Sequence, residues 1–134
     1  MNQHLAAIKS LIRLKLESVP DTMRQEDSSR RIITSIFYNA AEQMGLLPLP
    51  GWKPPRSTRE SLDMVALQPE LQEGLPRIAW VMVSDPLVEL PRVRALEWVE
   101  CPYKIYVTFS PRIDKVKPTT LFLKQDYIHL DIFS

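Results

Sequence analysis

Leu5, Ile8, Leu11, Ile12 and Leu16 recur at helical spacing, with Lys9 and Arg13 on the opposite side. That stripe predicts an amphipathic helix over about residues 3–17. "SVPD" ends it, because Pro20 disfavours helical geometry at Val19 and Asp21 suits an N-cap. A second helix is predicted from Asp21 to the C-capping Gly45, with Ile32, Ile33, Ile36, Phe37, Ala40, Ala41 and Met44 on its apolar face. "LLPLPGWKPPRSTRE" follows, and its four prolines between Pro48 and Pro55 make it an extended loop rather than a helix or a central strand.

Beyond residue 60 the pattern changes to strands. "SLDMVAL" (61–67) and "RIAWVMV" (77–83) are rich in β-formers and joined by a polar connection containing Gly74 and Pro76. Strands this close in sequence are expected to pair antiparallel. The second of them extends into "IAWVMVSD", whose unbroken apolar run is that of a strand covered on both faces. Asp85 then stands where it can N-cap a helix that has Pro86 in its first turn. Val93, Leu96 and Val99 predict that helix through about Glu100, firmest from Pro91. "CPYKIYVTFS" gives a strand over 103–109, so the strands at 78–84 and 103–109 should be parallel through a right-handed crossover. The tail "TTLFLKQDYIHLDIFS" reads as two short strands around Gln125-Asp126. The expected architecture is one domain over 1–134, α+β or α/β, with two N-terminal helices packed on a mixed β-sheet that has one right-handed βαβ crossover.

Composition changes this picture little. At 134 residues, 45% apolar and 25% charged, the chain can bury one core and is not of disordered type. It has no apolar run of membrane-spanning length and no signal-peptide pattern, and its single cysteine, Cys101, fits a reducing compartment. A cytoplasmic protein is expected. Net charge is +1, with nine Lys/Arg against six Asp/Glu in residues 1–60 and eight against ten in 61–134. That tilt allows a basic face but lacks the excess of a strong non-specific nucleic-acid binder.

Candidate chemistry is sparse. Three glycines, Gly45, Gly51 and Gly74, cannot build a phosphate loop, and no zinc-binding cysteine pair or serine-nucleophile elbow is present. Asp63 interrupts an apolar strand, where a carboxylate is tolerated if Ser61, Asp63 and Val65 share a solvent face. Glu89, Glu97 and Glu100 lie beside Arg92 and Arg94 as solvated helix charge. Tyr127, His129 and Asp131 share one strand face, too few ligands for a metal site. Cys101 has no base nearby in sequence and reads as a structural thiol. Trp52 with Lys53, Arg56 and Arg59 is a candidate partner- or nucleic-acid-binding patch, unless the indole lies over the core. The apolar stripe of the first helix either completes the core or joins a second copy in a homodimer.

A long helix, the aspartate-bearing "SLDMVAL", the uncharged "IAWVMVSD", and "VRALEWVECPYKIYVTF" as helix and strand together resemble the core of the PD-(D/E)XK nuclease superfamily, over about residues 28–110. The resemblance implies a restriction-endonuclease-like fold, with Asp63 as a Mg²⁺ ligand on the first strand and Glu-x-Lys on the second. The sequence departs from that pattern, offering Trp80-x-Met82 in place of Glu-x-Lys. Neither residue ligates a hard cation. The leading expectation is therefore a non-catalytic, nuclease-like binding or assembly module with no cofactor and a protein or nucleic-acid partner. The alternative is a Mg²⁺-dependent nuclease with its site moved to Asp63, Asp85, Glu89 and Lys104, the metal resting on Asp63 and Asp85. A structural subunit without a nucleic-acid role is the third.

Overall fold

In a computed structural model, described over residues 1–55, 60–69 and 77–134, the two long helices are α1 (Asn2–Ser18) and α2 (Glu26–Gln43). They pack on one face of a five-stranded mixed sheet of order β1-β2-β3-β4-β5. The strands are β1 (Leu47–Pro50), β2 (Met64–Gln68), β3 (Arg77–Asp85), β4 (Tyr103–Thr108) and β5 (Ile128–Asp131), with α3 (Leu90–Glu97) and α4 (Ile113–Thr119) in the two crossovers. β1, β2 and β3 are antiparallel neighbours, while β3–β4 and β4–β5 are parallel. This is the α+β architecture expected from the sequence. Among the described residues no helix is long and apolar enough to cross a membrane.

Alternation along each strand divides the core in two. Met64, Ala66, Trp80, Met82, Ile105 and Val107 meet Leu5, Ile8, Ile12 and Leu16 of α1 and Ile33, Ile36, Phe37 and Ala41 of α2. Val65, Val81, Val83 and Tyr106 point the other way, to Val93, Ala95 and Leu96 of α3. The apolar stripe of α1 therefore completes the core, leaving Leu11 and Leu14 outside it. β3 is buried on both faces from Trp80 to Asp85, as its uninterrupted apolar run predicts.

Four elements depart from the sequence reading, among them α3, which runs from Leu90 to Glu97 rather than from Pro86 to about Glu100. α2 begins at Glu26 rather than Asp21, because Asp21–Met23 forms a separate 3₁₀ turn. The proline-rich segment is not all loop: Leu47–Pro50 is an edge strand, where a residue without an N–H is tolerated. The tail is not two strands. A short helix, α4, and a 3₁₀ turn at Thr120–Phe122 carry the chain across to β5, the tail's one strand, parallel to β4. Periodicity missed this second crossover because α4 has only one buried residue, Val116.

Candidate functional site

Side chains at paired positions of neighbouring strands share a face. Asp63 stands just before β2 and Asp85 ends β3, and the antiparallel register (Met64 opposite Met82) brings them to the same end of the sheet. Both bond Arg92 of α3; Asp85 continues the face of Val81 and Val83, and Asp63, in the bend before β2, also meets the Ser84 hydroxyl. Trp80 and Met82 point to the opposite face, into the α1/α2 core. The comparison of Trp80-x-Met82 with Glu-x-Lys therefore fails by one residue: the β3 positions that share a face with Asp63 are Val81, Val83 and Asp85. A period of two inverts every side chain on a one-residue slip.

The carboxylates converge, but on two guanidinium groups. Arg92 of α3 donates from Nε to Asp85 Oδ2 (3.1 Å), from Nη2 to Asp63 Oδ1 (2.8 Å) and from Nη1 to the Ser61 carbonyl (2.7 Å). Arg30 of α2 reaches round the sheet end, donating from Nη2 to Asp85 Oδ1 (2.8 Å) and from Nε to the Ser84 carbonyl (2.9 Å). The remaining positions are filled by neutral donors. Ser84 gives its N–H (2.6 Å) and hydroxyl (2.7 Å) to Asp63 Oδ2, and Tyr106 gives its phenol to Asp85 Oδ2 (2.7 Å). The Glu89 N–H in turn donates to the Tyr106 oxygen (2.8 Å). All four carboxylate oxygens thus have donors, and the charges of the two acids and two arginines cancel.

Burial makes this network strong. The side chains of Arg92 and Asp85 are 9% and 4% exposed. Burial alone would lower the Arg92 pKa, but the charges of Asp63 and Asp85 outweigh it and hold the guanidinium more firmly protonated than in water. The Tyr106 phenol is pushed up, first by burial and then by the Asp85 charge, so it acts as a donor. Glu89 is raised as well, by desolvation and by the neighbouring charges of Asp85 and Glu26.

The structure places the predicted site residues unevenly. Asp63, Asp85 and Glu89 line one pocket of about 320 Å³ together with Arg30 and Arg92. Lys104 is not there. It lies opposite Val81, four positions before the end of the parallel ladder and so about 13 Å away along the strand. Its ammonium stands 5.4 Å from the centre of the Tyr127 ring. Asp63 is not on a solvent face, because α3 covers that side of the sheet. Asp85 is not a helix N-cap: Glu89 takes that place, Pro91 falls in the first turn of α3, and the Asp85 carboxylate is held by the arginines. Trp52 packs against the α3-side core, Lys53 is exposed, and Arg56 and Arg59 fall outside the described residues. Cys101 donates to the Tyr103 carbonyl (3.3 Å), and burial pushes its thiol pKa up, as a structural cysteine requires.

Arg30, Arg92, Tyr106 and Ser84 were missed by the sequence reading, which left Arg92 as solvated charge. The signal for the arginines was present. Arg92 is four and seven residues from the buried Leu96 and Val99, and Arg30 is three and seven from the buried Ile33 and Phe37. An arginine on a buried stripe needs a buried partner.

A metal of the kind the nuclease resemblance implies does not fit this donor set. A hard cation needs free carboxylate oxygens, and here each is hydrogen-bonded, two of them to Arg92. Among the described residues no group of three or more His, Cys, Asp or Glu side chains is arranged to hold a metal ion.

A second polar cluster lies at the far edge of the parallel strands. Thr108 Oγ1 is 2.8 Å from His129 Nε2 and donates to Asp131 Oδ1 (3.1 Å). Desolvation lowers the His129 pKa below 6.5, with the Lys9 charge acting the same way and Asp131 opposing. A lowered histidine pKa means that the unfolded chain takes up the proton first. Stability is therefore lost as pH falls below about 6.5 and levels off below the folded-state pKa. His129→Gln should remove that part of the acid sensitivity; urea midpoints at several pH values that are parallel for both proteins would contradict it.

Compared with family models, curated proteins and solved structures, the chain has no significant match.

Proposed function

We propose that the chain is a non-catalytic, nuclease-like binding or assembly module whose former cation position is filled by Arg92. One observation carries the reading: Asp63 and Asp85 converge at one sheet end, and a guanidinium bridges them with bonds of 2.8 and 3.1 Å. The order of elements supports the nuclease-like part. An aspartate opens β2, an antiparallel β3 follows, and α3 returns the chain to a parallel β4. The placement of Lys104 over Tyr127, away from the carboxylates, supports the non-catalytic part. A permanently charged, internally supplied cation cancels the repulsion of the two acids and leaves no open coordination position for an attacking water. The surface left for a partner, protein or nucleic acid, includes Lys53 beside the half-buried Trp52. Homodimerisation through α1 would use the exposed Leu11 and Leu14.

The alternative is a Mg²⁺-dependent nuclease in which substrate or metal displaces Arg92 from Asp63 and Asp85 and engages Glu89. Its support is that these three carboxylates line one pocket. Supercoiled-plasmid nicking with Mg²⁺ or Mn²⁺ separates the two. The wild-type protein should nick no more than Asp63→Ala. Nicking by the wild type that Asp63→Ala abolishes would reverse the conclusion in favour of the enzyme. A short labelled duplex in the same buffer tests the partner class: salt-sensitive binding points to nucleic acid, and no binding points to protein.

A further inference from the structure

At the edge of the sheet, two strands from the arginine-bridged acids, α1, α4 and β5 line an open pocket of about 660 Å³. That is within the roughly 300–1,000 Å³ of small-molecule sites. Ile113, Val116 and Leu130 give it apolar walls, and Lys9, Lys117 and His129 give it polar ones. It adjoins the carboxyl end of a parallel strand, where open α/β sheets place their ligands.

Its charges are unevenly satisfied. The two acids at its wall already have partners: Asp131 accepts from the buried Thr108, and Asp114 lies 3.6 Å from Arg112. Neither lysine has an Asp or Glu side chain within reach among the described residues. Among the described residues Lys9 reaches the carbonyl and hydroxyl oxygens of Ser134 (3.3 and 3.2 Å), and the exposed Lys117 side chain makes no hydrogen bond. Counting Arg112, the five charged side chains sum to one positive charge. The histidine is fixed as well. Thr108 has one hydroxyl proton, which goes to Asp131, so it must accept from His129 Nε2–H. His129 Nδ1 is the nitrogen left for a ligand donor. Ile113 is 48% exposed, an apolar side chain with nothing over it.

We propose that this cavity is a binding site for a small organic anion, its phosphate or carboxylate held by Lys9 and Lys117 and its apolar ring or chain lying on Ile113, Val116 and Leu130. The site is independent of the arginine-bridged acids, so it stands or falls apart from the function proposed above.

Titrations of the whole protein with phenyl phosphate, benzoate and benzyl alcohol, followed by the His129 ring resonances in NMR, test it. At least one of the two anions should shift His129 saturably while leaving His4, which lies on α1 outside the cavity, unmoved. The tighter of the two identifies the anionic group. Benzyl alcohol should bind much more weakly, and inorganic phosphate alone should bind more weakly than phenyl phosphate if that anion is preferred. Lys117→Ala, an exposed position whose loss leaves the core intact, should weaken the anion about tenfold, the loss of a charge-assisted hydrogen bond. Ile113→Ser should weaken it through the apolar wall. No saturable shift with either anion, equal binding of the alcohol, or unchanged affinity in the Lys9→Ala/Lys117→Ala variant would each overturn the proposal.

Discussion

Arg92→Ala is expected to cost about 3–5 kcal/mol of stability, because it leaves Asp63 and Asp85 facing each other in a buried site without the cation that bridges them. Arg30 cannot substitute, since its bonds go to Asp85, Ser84 and the rim acids Glu26 and Asp27, and none reaches Asp63. Arg92→Lys should recover only part of the loss: one ammonium cannot reproduce the fork that spans two carboxylates and the Ser61 carbonyl. The decisive measurement is a urea-denaturation cycle with Asp63→Ala. Coupling of about 0.5–3 kcal/mol is expected, with Asp63→Ala far less harmful once Arg92 is gone. Additive losses would show that the pair is not one unit. The vacated oxygens of Asp63, Asp85, Ser61 and Ser84 are all hard donors, so millimolar Ca²⁺ or Mn²⁺ should raise the Tm of Arg92→Ala. The wild type should not respond, and an equal response in both would count against Arg92 as the resident cation.

The second large effect concerns Trp80. Its indole is 1% exposed and meets Phe37 of α2 edge-on, ring centres 5.6 Å apart. Trp80→Ala should cost about 3–5 kcal/mol through the cavity it leaves. Trp80→Phe should cost much less, because the buried Nε1–H has no hydrogen-bond partner among the described residues and its removal offsets part of the lost contact. Trp80→Glu with Met82→Lys, which writes a nuclease-like Glu-x-Lys into β3, should unfold the protein without creating a site. Both side chains would enter the α1/α2 core, on the opposite face of the sheet from Asp63. Circular dichroism melts of the three variants check this; a folded, cooperative Trp80→Glu/Met82→Lys protein would contradict the assignment of faces.

The amino-acid pattern was sufficient for α1, most of α2, the strands β2, β3 and β4, and the crossover between the last two. The helices and β4 repeat their apolar residues with a period of 3.6 or 2 that reflects which side is covered, while β2 and β3 are short unbroken apolar runs of strand length. The pattern also named Asp63 and Asp85 as candidate metal ligands, while expecting a solvent face for the first and a helix N-cap for the second. It could not supply their partners. Arg30 and Arg92 are 55 and 7 residues from Asp85, and only the antiparallel β2–β3 register and the return of α3 over the sheet bring the four charges together.

Face was the other thing left to the tertiary structure. Six apolar residues in a row carry no alternation, so nothing in "IAWVMVSD" says whether Trp80 or Val81 shares a side with Asp63. Pairing of Met64 with Met82 decides it. The same holds for α4, whose single buried residue is too few to show a period, yet which lines the pocket at the edge of the sheet together with α1 and β5. Local periodicity determined the elements, because burial on one side is written into neighbouring residues. Long-range register and charge pairing decided the sites, because the groups that meet there are far apart in the chain.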